Sequence, residues 1–176
     1  MDARLHHVQG KTERVKPAEL LDLLRELYRD KATLRARHVA GARLVGNYDF
    51  NNTYQYVINR EDVHLNWLRD ALADLGGTAG EIAEPARAAQ GKGAEVQGAI
   101  LREDRDEAKA FVSRWRDRVE RVTNARNRIM LRVILGETLE QERFFEQALA
   151  GRSDLLGRSA DGARTTGSVI ATRWVE

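Results

Sequence analysis

The sequence contains no cysteine. Disulfides and thiolate-ligated metal sites are therefore excluded, and we expect a cytoplasmic protein. It also lacks any apolar run approaching the roughly 18 residues of a membrane span. Polar and charged residues follow Met1 instead of an apolar segment, so we predict a soluble, non-secreted chain with no membrane partner.

The sequence also lacks an excess of charge of one sign. Lys and Arg number 29 and Asp and Glu number 27, for a net charge of +2. Seven arginines do cluster locally, at Arg114, Arg116, Arg118, Arg121, Arg126, Arg128 and Arg132. Their spacing distributes them over several faces of a helix, which favours a solvated helix over a phosphate-binding patch. We therefore expect no nucleic-acid partner.

Apolar residues at three- and four-residue steps predict a first helical hairpin. Helix one runs from about Pro17, a residue suited to a first turn, to about Val45. The turn residues 46–52 follow, with Asn51 or Asn52 as a cap. Helix two then runs from about Asn52 to Leu75 and stops at the glycine pair 76–77.

The composition changes to Gly, Ala and polar residues from 76 to about 103, which predicts a long crossover with a short helix near 81–90. The spacing Asp104-x-x-Glu107 is typical of an N-terminal cap, so helix three is predicted to begin there. It ends either near Asn124, leaving helix four at 127–150, or at Leu135 before Gly136. The first alternative gives helices of more equal length.

The two halves of the sequence match weakly at an offset of 77 positions. The match pairs Tyr54 with Leu131 and Asn47 with Asn124. It indicates two similar helical hairpins joined by the crossover. The predicted organisation is an N-terminal segment at 1–16, a four-helix region at 17–150 and a C-terminal extension at 151–176.

A Glu61-x-x-His64 pair interrupts the apolar face of helix two. Residues three apart share one face of a helix, so both side chains could reach one metal ion. An ionisable residue on a buried face must be neutralised, paired or ligated.

Two helical hairpins, a long crossover and Glu-x-x-His in helix two together resemble the ferritin-like superfamily, including rubrerythrin-type domains. The resemblance covers about 17–150 and implies an all-α, antiparallel four-helix bundle. It also implies iron, or else manganese or zinc, bound by Glu61 and His64 with Asp30 or Glu26 of helix one. Any activity would then be that of a non-haem iron oxidoreductase.

The C-terminal half departs from that pattern because every histidine lies at 6, 7, 38 or 64. At the 77-position offset, Thr138 and Gln141 replace the second Glu-x-x-His pair. We therefore expect a degenerate or mononuclear metal site. Glu107 is interpreted as a helix cap, with a ligand role as the alternative.

The alternative to a metal is an internal pair, in which Lys31, Arg35, Arg60 or His38 neutralises the Glu61–His64 pair. The chain would then be a non-catalytic helical interaction module that lost its metal. His38 is interpreted as a packed core residue, with a ligand role as the alternative. An apolar helix face or the C-terminal extension is expected to mediate homo-oligomerisation.

Overall fold

The computed structural model describes residues 17–81, 93–152 and 154–156. These ranges contain four helices: α1 at Pro17–Ala42, α2 at Tyr48–Asp74, α3 at Ala94–Glu120 and α4 at Ala125–Leu149. No strand occurs within them. The prediction of an all-α fold is confirmed.

Asparagine side chains cap two of the helices. The Asn47 side chain accepts a hydrogen bond from the Phe50 backbone N–H at the start of α2. Asn124 accepts one from the Asn127 backbone N–H at the start of α4. Helix two therefore begins earlier than predicted, with neither Asn51 nor Asn52 as its cap, and the break near Asn124 is confirmed.

Helix α3 begins at Ala94, well before the expected start at Asp104. Asp104 is fully buried inside the helix, where its carboxylate accepts a hydrogen bond from the Tyr54 hydroxyl. Glu107, also inside the helix, pairs with Arg37. Neither residue caps a helix, so that interpretation is wrong. The expected short helix at 81–90 lies outside the described residues except for Glu81, which is not helical.

The helix starts repeat at the offset that the sequence indicates. Position 17 corresponds to 94 and position 48 to 125, both 77 positions apart. The capping residues Asn47 and Asn124 have the same separation. The two halves therefore share one local design, in which an asparagine cap starts the second helix of each half.

Residues of all four helices form the core, in two apolar clusters. One cluster contains Leu27, Leu68, Trp115 and Leu131, and the other contains Phe50, Ile100 and Phe145. Buried polar side chains lie between residues of the two clusters along the helices. On α2, for example, Glu61 and His64 come between Ile58 of one cluster and Leu65 of the other. The apolar clusters thus enclose a polar layer.

Ion pairs join α1 to α3 in opposite chain order. Glu26 pairs with Arg118, Asp30 with Arg114 and Arg37 with Glu107. The pairs between α2 and α4 follow the same rule, since Arg60 meets Glu137 and Asp74 meets Arg126.

None of the helices in the described part of the chain combines the length and the apolar character that a membrane span requires.

We expect Asn47→Ala and Asn124→Ala each to lower the free energy of unfolding by about 1 kcal/mol, because each removes a capping acceptor. Chemical denaturation measures both. Asn52→Ala, inside the first turns of α2, is the matched control and is expected to have little effect. An equal loss in the control would contradict the capping assignment.

Candidate functional site

A layer of buried polar side chains crosses the protein between the two apolar clusters. All four helices contribute to it. Its members are at most 2% exposed, and they are Lys31, His38, Glu61, His64, Asp104, Thr138 and Gln141. Burying a polar group is costly unless it is paired or hydrogen-bonded. The hydrogen-bond and ion-pair partners of these side chains therefore decide whether the layer could also bind a metal ion.

The ammonium of Lys31 lies at the centre of this polar layer. Its Nζ atom donates to Glu61 Oε1 at 3.0 Å, to Thr138 Oγ1 at 3.0 Å and to Gln141 Oε1 at 3.4 Å. These three bonds use all three donors of an ammonium group. The ring of Phe111 lies on a further side, with its centroid 5.3 Å from Nζ. The charge is therefore paired and fully hydrogen-bonded without solvent.

Glu61 receives a second partner on its other oxygen, because His38 Nδ1 lies 2.9 Å from Oε2. Burial by itself would raise the pKa of this carboxyl group. Electrostatic attraction and hydrogen bonds from His38 and Lys31 outweigh burial and lower the pKa of Glu61 to about 2. Glu61 is thus a carboxylate whose two oxygens are both engaged within the protein.

His64 connects the polar layer to the surface. Its Nε2 atom lies 2.7 Å from Oε2 of Glu137, which is also paired with Arg60. Burial, followed by the nearby charge of Lys31, lowers the pKa of His64 to about 4, despite the attraction of Glu137. A neutral His64 then donates from Nε2 to Glu137. Its Nδ1 atom is buried without a hydrogen-bond partner.

Equivalent positions of the two halves of the chain lie around Lys31. Thr138 and Gln141 on α4 correspond, at the offset of 77, to Glu61 and His64 on α2. The position equivalent to Lys31 is Ala108, which is fully buried. The first half therefore supplies the buried ion pair, whereas the second half supplies neutral acceptors and a small side chain.

The predicted ligands of helix one lie away from this centre. Asp30 binds Arg114 and the indole N–H of Trp115, at 2.5 and 3.0 Å. Glu26 binds Arg118 through two bonds of 2.8 and 2.6 Å. Both carboxylates thus serve the α1–α3 surface and do not join the other two proposed ligands at one position.

This arrangement does not fit a metal held by the four predicted residues. Both oxygens of Glu61 and the Nε2 atom of His64 are engaged in hydrogen bonds. In the described part of the chain, no group of three or more His, Cys, Asp or Glu residues could hold a metal ion. Metal binding itself stays a prediction.

Glu137 and the buried pair of Asp104 with Tyr54 were not predicted from the sequence. A signal for Asp104 was present, since it falls on the buried face of α3 between Leu101 and Ala108. The spacing Asp104-x-x-Glu107 was interpreted as a helix cap, so Asp104 was not predicted to be buried. Glu137 gave no local signal, because its role depends on where α2 lies against α4.

Comparisons with known proteins match no family model, no curated protein and no solved structure. The resemblance to ferritin-like proteins stays a prediction. Any function of the protein has to be inferred from the geometry of the polar layer.

We predict that Lys31→Met lowers the free energy of unfolding by about 3–5 kcal/mol, because it leaves the Glu61 carboxylate buried without its cation. Urea denaturation near neutral pH measures this loss. The double variant Lys31→Met/Glu61→Gln is expected to recover a large part of it, since neither charge remains. A Lys31→Met protein as stable as the parent would show that the ion pair is unimportant.

Stability is expected to fall in two stages on acidification. His64 binds a proton more readily in the unfolded chain than in the folded one. Its contribution to the free energy of unfolding is therefore complete above about pH 6.5 and decreases towards pH 4, by roughly 3 kcal/mol. Glu61 has a lowered pKa, so its contribution is full above about pH 4.5 and is lost towards pH 2. Denaturation across this pH range measures both stages. His64→Gln should remove the first stage only; an unchanged profile would refute the assignment.

Proposed function

We propose that this chain is an antiparallel four-helix bundle of the ferritin-like type that acts as a non-catalytic interaction module, with the Lys31 ammonium in place of a metal. The observation that carries the proposal is the set of three hydrogen bonds from Lys31 to Glu61, Thr138 and Gln141. Its partners include a second copy of the chain.

The order of the helices supports the bundle type. Partners in α1–α3 and in α2–α4 run in opposite directions along the chain, as an antiparallel arrangement requires. Short connections join α1 to α2 and α3 to α4, whereas residues 75–93 separate α2 from α3. One long crossover between two hairpins is the connectivity of ferritin-like bundles.

Electrostatics supports the replacement of a metal by Lys31. A metal beside Glu61 would lie next to a buried ammonium. Two unit charges about 4 Å apart repel by about 4 kcal/mol at an effective dielectric constant of about 20, and a divalent ion doubles this value. Binding would also have to break the bonds that Lys31 and His38 make to Glu61. The resident cation thus already neutralises the carboxylate.

A second candidate function is a mononuclear iron site at Glu61 and His64, with redox chemistry. Two buried nitrogen atoms without hydrogen-bond partners, Nε2 of His38 and Nδ1 of His64, favour it. Imidazole nitrogens are good ligands for iron, manganese and zinc. This candidate requires Lys31 to leave the centre.

Metal loading separates the two functions. The purified protein is incubated with iron(II), manganese(II) or zinc(II), desalted and analysed for bound metal. We expect no stoichiometric retention by the parent, and we expect Glu61→Gln/His64→Gln to retain as little metal as the parent does. The control Asp22→Asn removes an exposed carboxylate outside the polar layer and reports surface binding.

Stoichiometric retention by the parent, lost in Glu61→Gln/His64→Gln but kept in Asp22→Asn, would overturn the module proposal in favour of the metal site. Retention that is the same in all three proteins would indicate surface binding, which leaves the polar layer without metal as proposed.

A further inference from the structure

One exposed line of residues on α4 has the spacing of a coiled-coil seam. Its members, at alternating steps of three and four, are Arg126, Ile129, Val133, Gly136, Glu140 and Arg143, and all are exposed. We call this set the α4 stripe. Such spacing keeps side chains on one face along a helix and is the pattern by which two helices pack. The buried face of α4 already serves the core, so the α4 stripe is a second, separate face.

The α4 stripe carries apolar surface that the fold leaves uncovered. Ile129 is 60% exposed and Val133 is 40% exposed, and both belong to the few large apolar side chains exposed among the described residues. Grooves lie on both sides of Val133, between α2 and α4. The first has a volume of about 330 Å³ and is lined by Trp67, Ile129 and Met130. The second, of about 710 Å³, is lined by Gly136 and Glu140.

The α4 stripe is complementary to itself when reversed about Val133. Arg126 and Glu140 lie at equal distances in sequence on either side of Val133, so a reversed copy places opposite charges together. The same reversal brings the bulky Ile129 close to Gly136. A side chain built on Gly136 would meet nothing within 4 Å, so this position has room for a neighbouring side chain.

The ion pair that Arg126 makes within its own chain does not prevent it from pairing with a second copy. Arg126 pairs with Asp74 at 3.0 Å, but the two side chains are 83% and 57% exposed. Exposed ion pairs contribute little to stability. Arg126 can therefore turn from Asp74 to a carboxylate of a second copy.

We propose that the α4 stripe binds the α4 stripe of a second copy in antiparallel orientation, which makes the protein a symmetric dimer. Val133 packs on its counterpart at the two-fold axis. Ile129 of each copy enters the groove beside Gly136 of the other, and Arg126 pairs with the other copy's Glu140. A two-fold interface of this kind uses one self-complementary patch and closes on itself. This inference rests on the proposed interaction role but not on the chemistry of the Lys31 centre.

Sedimentation equilibrium over a range of protein concentrations tests the dimer. We expect the parent to be dimeric and Val133→Asp to raise the dissociation constant by about tenfold or more, because it places like charges at the axis. Tyr48→Asp is the matched control: Tyr48 is 78% exposed but lies on α2, outside the α4 stripe. Circular dichroism verifies that each variant is folded.

A charge exchange gives a second test that does not depend on Val133. Arg126→Glu and Glu140→Arg should each weaken the dimer, and the double variant should recover affinity, because the pair is re-formed with reversed signs. A monomeric parent, a Val133→Asp protein that dimerises like the parent, or a double variant that dimerises no more tightly than the single variants would overturn the proposal. These results are independent of metal loading. A monomeric parent would overturn the pairing with a second copy and leave the metal-free polar layer standing, whereas stoichiometric metal retention would leave the dimer standing.

Discussion

The ion pair between Lys31 and Glu61 is the interaction on which the arrangement of the helices depends. Both groups are fully buried and 3.0 Å apart, and Thr138 of α4 accepts another bond from the same ammonium. A displacement of α1 or α2 by one turn would leave a buried charge without its partner, which is far more costly than a lost apolar contact. A displacement of α4 would remove two acceptors from the buried ammonium. The polar layer thus fixes the register of α1, α2 and α4 where apolar packing alone would tolerate alternatives.

The two halves of the chain share the positions of their helix starts and caps but differ in the polar layer. Helix starts and asparagine caps repeat at one offset. At the centre, however, the second half has Ala108 where the first has Lys31, and uncharged Thr138 where the first has Glu61. The buried ion pair at this centre therefore comes entirely from the first half, and the second half supplies Thr138 and Gln141 as uncharged acceptors.

Much of the fold could be predicted from the sequence because its causes are local. Apolar periodicity predicts the helices, and the change to a glycine-rich composition after Leu75 predicts the long connection. The start of α3 could not be predicted in this way. Residues from Ala94 onwards, including Gly98, have weak helical signals, and packing of Ile100 and Leu101 on the other helices stabilises them as helix.

The sequence by itself determined that Glu61 and His64 share one face of a helix, because helical spacing requires it. It also identified Lys31 as one of four possible partners of that buried pair. Only the tertiary structure decided that Lys31 occupies the centre while its neighbour Asp30 binds Arg114 at the edge. Adjacent residues of a helix point in directions about 100° apart, and which direction meets the core depends on the neighbouring helices. Local sequence does not contain that information.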